Sequence, residues 1–60
     1  MTLYAAMTVN ERLFSAGLLE AWDEAVKQRD RARMIALLMA VELAAEQAAF
    51  TADAALVNRG

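Results

Sequence analysis

The amino-acid sequence predicts a small all-α protein, a three-helix array with the second helix at its centre. The chain has no proline, two glycines and an excess of Ala, Leu, Met, Glu and Arg, which favours helices. Its apolar residues recur at helical spacing. Residues 34–41 contain no polar side chain, so a helix there must be covered on more than one side.

The first predicted helix covers about residues 8–28. Thr8 and Glu11 fit a capping box, in which the threonine hydroxyl accepts from the N3 amide and the glutamate reaches back. Residues 1–7 are predicted to be an N-terminal extension, and either Met7 is the initiator or the extension adds a short helical turn. The side of this helix that faces the core is predicted to carry Phe14, Leu18, Ala21, Trp22 and Ala25.

The second and third predicted helices cover about residues 31–43 and 45–57. Asp30 is a good N-cap for the second helix. Between them the sequence has no Gly, Pro, Ser or Asn, so one continuous helix is the alternative. A turn is favoured because a helix of about 27 residues would span about 40 Å, and its second half could not fold back on the first helix.

Composition excludes several classes of protein and site. Sixty residues make at most one domain, here residues 8–60. The chain has no Cys and no His, which excludes disulfides and the thiolate or imidazole ligands of zinc sites, so no metal and no cofactor are expected. The net charge of −2 does not suggest nucleic acid, and no apolar segment is long enough for a membrane span. A cytoplasmic protein is the default.

The polar residues do not predict an enzyme, and we assign no catalytic residue. The eight carboxylates are expected on solvated helix faces. Hydroxyl groups at Tyr4, Ser15 and Thr51 have no histidine base to activate them.

A basic segment at the first turn gives the alternative function, a nucleic-acid-binding helical corner. Its candidate phosphate contacts are Lys27, Arg29, Arg31 and Arg33. Two observations disfavour this function: the helix that would enter the groove is the most apolar in the chain, and no aromatic residue is interleaved for stacking on bases.

The favoured function is a protein–protein interaction or assembly module that forms a homo-oligomer, most simply a two-fold homodimer, with another protein as the alternative partner. The apolar fraction of 60% exceeds the roughly 45–50% of ordinary domains. A row formed by Gly17, Ala21 and Ala25 predicts either close packing on the alanine-rich third helix or a dimer seam. The aromatic and Met members of the candidate partner surface are more simply interpreted as core residues. The surface consists of Trp22, Met34, Met39, Phe50, Ala54 and Val57.

From Met7 onward the chain resembles a family of very small bacterial helical proteins that begin MTVNERLF. The similar stretches are residues 7–14, 30–38 and 51–54. The resemblance implies a second turn before the third helix, usually with a polar cap where this chain has Ala44 and Ala45. It also implies an Asn-Pro ending, whereas here Asn58 precedes Arg59. No activity is attached to the family, so it implies no functional residues.

Overall fold

The computed structural model describes residues 7–59, which form four α-helices. The prediction of an all-α protein is confirmed, whereas the prediction of three helices is wrong because the first predicted helix is divided in two. The helices are α1 (Val9–Ser15), α2 (Leu19–Lys27), α3 (Arg31–Ala40) and α4 (Ala45–Arg59). Except for Met7, the predicted N-terminal extension lies outside the described residues.

The helix starts follow the predicted caps. The Glu11 amide donates to Thr8 Oγ1 at 3.2 Å, and the Thr8 amide donates to Glu11 Oε1 at 2.9 Å, so the capping box is confirmed. Asp30 caps α3 by accepting from the amide of Arg33 at 3.2 Å. Both caps satisfy amides that have no partner within their own helix.

The break after α1 is a left-handed turn at Gly17, where φ is +74°. The Gly17 amide donates to the Phe14 carbonyl at 3.0 Å, and the Leu18 amide donates to the Leu13 carbonyl at 2.8 Å. These two bonds define a Schellman motif. A Cβ added at Gly17 would meet no atom within 4 Å, so the predicted close approach of the alanine-rich last helix of the same chain at this glycine is wrong. Its role is to end α1.

The same motif ends α2 and α3, with Arg29 (φ +54°) and Glu42 (φ +70°) in the left-handed position. The amides of Asp30 and Leu43 donate back to Ala25 and Leu38, at 2.9 and 3.2 Å. The predicted turn between the last two helices is therefore confirmed. Compared with the predicted bounds, α3 ends earlier, and α4 continues past residue 57.

The core lies between α2, α3 and the inner side of α4. Both α2 and α3 pack against each of the other three helices, so α3 shares the central position that the sequence predicts for it alone. Its exposed side carries Ala36, Met39 and Ala40. The buried apolar residues are Leu13, Trp22, Ala25, Val26, Met34, Leu38, Val41, Leu43, Ala48 and Ala52.

The long helix α4 packs on α3 and α2 through small side chains. Ala48 and Ala52 are fully buried, and Ala55 and Leu56 are partly buried against the core. Within residues 7–59, α1 and α4 make no close backbone approach, which leaves a groove between them. In that described part of the chain, no helix has the length and apolar character needed to cross a membrane.

Candidate interaction surface

The outer face of α4, which we define as Phe50, Ala54 and Val57, is an exposed apolar stripe. Spacings of four and three residues place these side chains on one side of a helix. Phe50 is 77% exposed and Val57 is 78% exposed. Isolated exposed apolar residues are ordinary on protein surfaces, but a continuous stripe indicates a contact surface.

A groove between α1 and α4 continues the outer face on one side. Phe50 borders this groove and also lines a shallow depression on α4 with Asp53, Ala54 and Val57. At the groove, the Arg12 guanidinium donates through Nη1 to the Val41 carbonyl at 3.2 Å, which ties α1 to the end of α3. The groove is lined by Met7, Thr8, Val9, Arg12, Leu43, Glu46, Gln47, Phe50 and Thr51.

One ion pair lies at the edge of the outer face. Arg31 donates to both carboxylate oxygens of Asp53, from Nε to Oδ1 at 2.6 Å and from Nη2 to Oδ2 at 3.3 Å. This bidentate pair connects the start of α3 to the middle of α4. The hydrogen bond from Arg31 lowers the pKa of Asp53, and the same bond raises the pKa of Arg31.

The basic segment is partly engaged within the chain. Besides the pairing of Arg31, the Arg29 guanidinium donates through Nη2 to the Leu56 carbonyl at 3.4 Å. All four candidate phosphate contacts, Lys27, Arg29, Arg31 and Arg33, are exposed. However, a phosphate ligand would have to compete with Asp53 for Arg31 and with a helix carbonyl for Arg29, which disfavours this segment as a ready-made phosphate site.

The structure brings together three of the six residues predicted for a partner surface, namely Phe50, Ala54 and Val57. Trp22 is 8% exposed and Met34 is fully buried, so both belong to the core of the single chain. Met39 is exposed on α3 and lines neither the groove nor the depression on α4.

Phe14 forms a second exposed apolar patch, which the predicted partner surface does not include. The predicted stripe placed Phe14 toward the core, but it is 75% exposed and its neighbour Leu13 is fully buried. The turn at Gly17 breaks the helical phase between α1 and α2, so a stripe extrapolated across it selects the wrong residue. Glycine after a short apolar stretch was the available signal. A depression beside Phe14 is lined by Met7, Asn10, Glu11, Phe14, Ser15 and Leu19.

The carboxylates lie where the sequence predicts them. Every Asp and Glu of the chain is exposed. Among residues 7–59, no three acidic side chains come close enough to hold a metal ion. Two acidic residues adjoin the candidate surface: Asp53 lies beside the outer face of α4, and Glu46 lines the groove between α1 and α4.

No family model, no curated protein and no solved structure matches the chain. The resemblance to small bacterial helical proteins therefore stays a prediction, and the function has to be argued from the surface itself.

Proposed function

We propose that this chain is an assembly module that forms a two-fold homodimer through the outer face of α4. One observation carries the proposal: α4 buries the small side chains of Ala48 and Ala52 in the core and exposes the large apolar side chains of Phe50 and Val57 to solvent. Burying a side chain of this kind is worth about 1.5–3 kcal/mol. Four such side chains, two from each copy, provide a substantial driving force for association.

The area that a stable dimer requires extends the contact beyond these three side chains. A standard interface buries about 800 Å² on each partner, roughly a fifth of the 4161 Å² surface of this chain. Even a large aromatic side chain contributes only about 150–250 Å². We therefore propose that the interface also includes the groove between α1 and α4, which Phe50 borders.

The charge of the outer face is compatible with a second copy as the partner. Two identical faces bring identical charges together, which is unfavourable when the charges are unpaired. Asp53 lies at the edge of the outer face, but Arg31 of the same chain neutralises it. The face can therefore meet itself without bringing two unpaired carboxylates together. Two-fold dimers are also the commonest closed assembly.

Phe50→Glu tests the proposal, with Phe14→Glu as its matched control. Phe50 and Phe14 have nearly equal exposure, 77% and 75%, and exposed substitutions usually change the stability of a single chain by less than about 0.5 kcal/mol. A large loss of stability in Phe50→Glu therefore reports lost association. We expect a dimeric parent, a dimeric Phe14→Glu variant, and a Phe50→Glu variant that is monomeric and less helical.

Sedimentation equilibrium measures the oligomeric state, and thermal melts at several protein concentrations measure the melting temperature. The melting temperature of the parent should rise with concentration, because dimerisation stabilises the folded chain, and that of Phe50→Glu should not. A parent that is monomeric at high micromolar concentration, with a concentration-independent melt, would overturn the proposal. Dissociation by Phe14→Glu alone would move the interface to α1.

A further inference from the structure

The outer face of α4 has a pattern that fits its own copy in one antiparallel register. Phe50 lies four residues before Ala54 and Val57 lies three residues after it. In an antiparallel pair, the large residue at one end of this short stripe faces the large residue at the other end. We infer that two copies of α4 cross beside Ala54, with Phe50 of each copy packed against Val57 of the other. This inference rests on the proposed homodimer.

The small side chain at the centre permits the crossing. Packed helices approach to about 8–10 Å, and small residues at the contact allow the shorter distance. Ala54 is exposed, and its side chain is only a methyl group, so it does not obstruct the approach of the second helix. The flanking Phe50 and Val57 are separated by about 10.5 Å along the helix, so they close the contact on both sides of the crossing.

This register covers every large apolar side chain of both outer faces. A register that places Phe50 opposite its own copy would carry Val57 over the turn before α4, away from the apolar stripe. In the inferred register, the last turn of the partner's α4, which ends at Arg59, lies beside Phe50 at the border of the groove between α1 and α4.

The ion pair at the edge of the face is compatible with the crossing. Asp53 precedes Ala54, so the two Asp53 carboxylates come close to the two-fold axis. Each carboxylate accepts two hydrogen bonds from Arg31 of its own chain, at 2.6 and 3.3 Å. The positive charge of each guanidinium offsets the repulsion between the carboxylates.

Single-cysteine variants test the register, because the chain has no cysteine and each introduced thiol is unique. A disulfide forms when the Cα atoms are about 4.4–6.8 Å apart. Ala54→Cys places its two thiols at the crossing, whereas Ala45→Cys places them at the far end of α4. Both positions are exposed, so neither variant disturbs the core. Under mild oxidation at a concentration where the parent is dimeric, we expect Ala54→Cys to cross-link at least roughly tenfold faster than Ala45→Cys.

A leucine pair gives a second measurement that does not depend on thiol chemistry. Ala54→Leu should weaken dimerisation because the larger side chain prevents the close crossing, and Ala45→Leu should leave the dimer affinity unchanged. Circular dichroism confirms that each variant is as helical as the parent when measured at equal dimer occupancy.

The outcomes separate the register from the homodimer. A parent that sediments as a dimer while Ala45→Cys cross-links as fast as Ala54→Cys overturns the register and leaves the homodimer standing. A parent that sediments as a monomer overturns both. Fast cross-linking of Ala54→Cys together with weakened association of Ala54→Leu supports both.

Discussion

The helices α3 and α4 are both rich in apolar residues, yet α3 buries large side chains and α4 buries small ones. The ten-residue α3 places Met34 and Leu38 fully inside. The fifteen-residue α4 places Ala48 and Ala52 inside and leaves Phe50 and Val57 outside. Apolar composition therefore does not identify the core face of a helix. Met34 and Leu38 of α3 fill the interior of the chain, whereas Phe50 and Val57 of α4 stay exposed, which is the basis for proposing them as a contact with a partner.

Shortening a side chain on α3 should have the largest effect. Leu38 is fully buried, so Leu38→Ala should lower the free energy of unfolding by about 2–5 kcal/mol, comparable to the whole stability expected for a domain of this size. Met39→Ala is the control, because Met39 is half exposed on the same helix. Urea or thermal unfolding at one fixed protein concentration measures both. An unfolding midpoint for Leu38→Ala close to that of the parent would show that α3 is not the core helix.

Enlarging a side chain on α4 should have the next largest effect. Ala52 is fully buried between helices, and inserting a larger side chain into a packed core typically costs about 1–3 kcal/mol. Ala52→Leu should therefore destabilise the chain by this amount. Ala45→Leu is the control, since Ala45 is exposed on the same helix and Ala and Leu have similar helix propensities. Equal stability of the two variants would mean that α4 does not need small residues on its inner side.

The turn between α3 and α4 should give a smaller effect of opposite sign. Glu42 has φ +70°, a conformation that costs residues other than glycine about 1–2 kcal/mol. Glu42→Gly relieves this strain but adds freedom to the unfolded chain, so we expect a net stabilisation of up to about 1 kcal/mol. Gly17→Ala, at φ +74°, should destabilise by about 1 kcal/mol. Denaturant unfolding of each variant and of the parent gives the two changes in the free energy of unfolding. A Gly17→Ala variant that is more stable than the parent would contradict the turn geometry.

The features that the sequence predicts correctly are those decided by neighbouring residues. The caps at Thr8 and Asp30 form because each side chain reaches an amide three residues along the chain, and this requires no knowledge of the tertiary fold. The turn before α4 was predicted from the length of a continuous helix. The left-handed conformation of Glu42 in this turn is not predicted from the sequence, because glutamate disfavours it. In the structure the turn is closed by hydrogen bonds from the Glu42 and Leu43 amides to the Met39 and Leu38 carbonyls.

The features that the sequence analysis missed depend on one glycine and on side-chain size. If Gly17 is a packing residue, α1 and α2 are predicted to form one continuous helix. The helical periodicity of that single helix then places Phe14 on the core side, which is wrong. On α4, apolar residues occupy both sides, so periodicity alone does not show which side is buried, although the predicted packing through the alanines favours the side with Ala48 and Ala52. The structure assigns the inner side to Ala48 and Ala52, and thereby separates Phe50, Ala54 and Val57 from Trp22 and Met34 within the predicted partner surface.

The ion pair that links α3 to α4 should have the smallest effect, visible as a dependence on pH. The hydrogen bond from Arg31 lowers the pKa of Asp53 in the folded chain, whereas an unfolded Asp has a pKa of about 3.9. A carboxyl group with a lowered folded pKa stabilises the folded state fully above its unfolded pKa, and this contribution is lost as the pH falls through the folded pKa. The stability that Asp53 provides is therefore present at neutral pH and disappears below about pH 4.

The variant Asp53→Asn should consequently lose less stability than the parent when the pH is lowered from about 6 to about 3, across the unfolded Asp pKa. Asp23→Asn is the matched control, because Asp23 is an exposed aspartate on α2. Since the pair is at the surface, with side chains 50% and 57% exposed, molar salt should also reduce the difference between Asp53→Asn and the parent. Unfolding curves at each pH and at one protein concentration make the comparison. If Asp53→Asn and Asp23→Asn showed the same pH dependence, the Arg31–Asp53 pair would not contribute to holding α4 on α3, and the packing of Ala48 and Ala52 would have to hold α4 there without it.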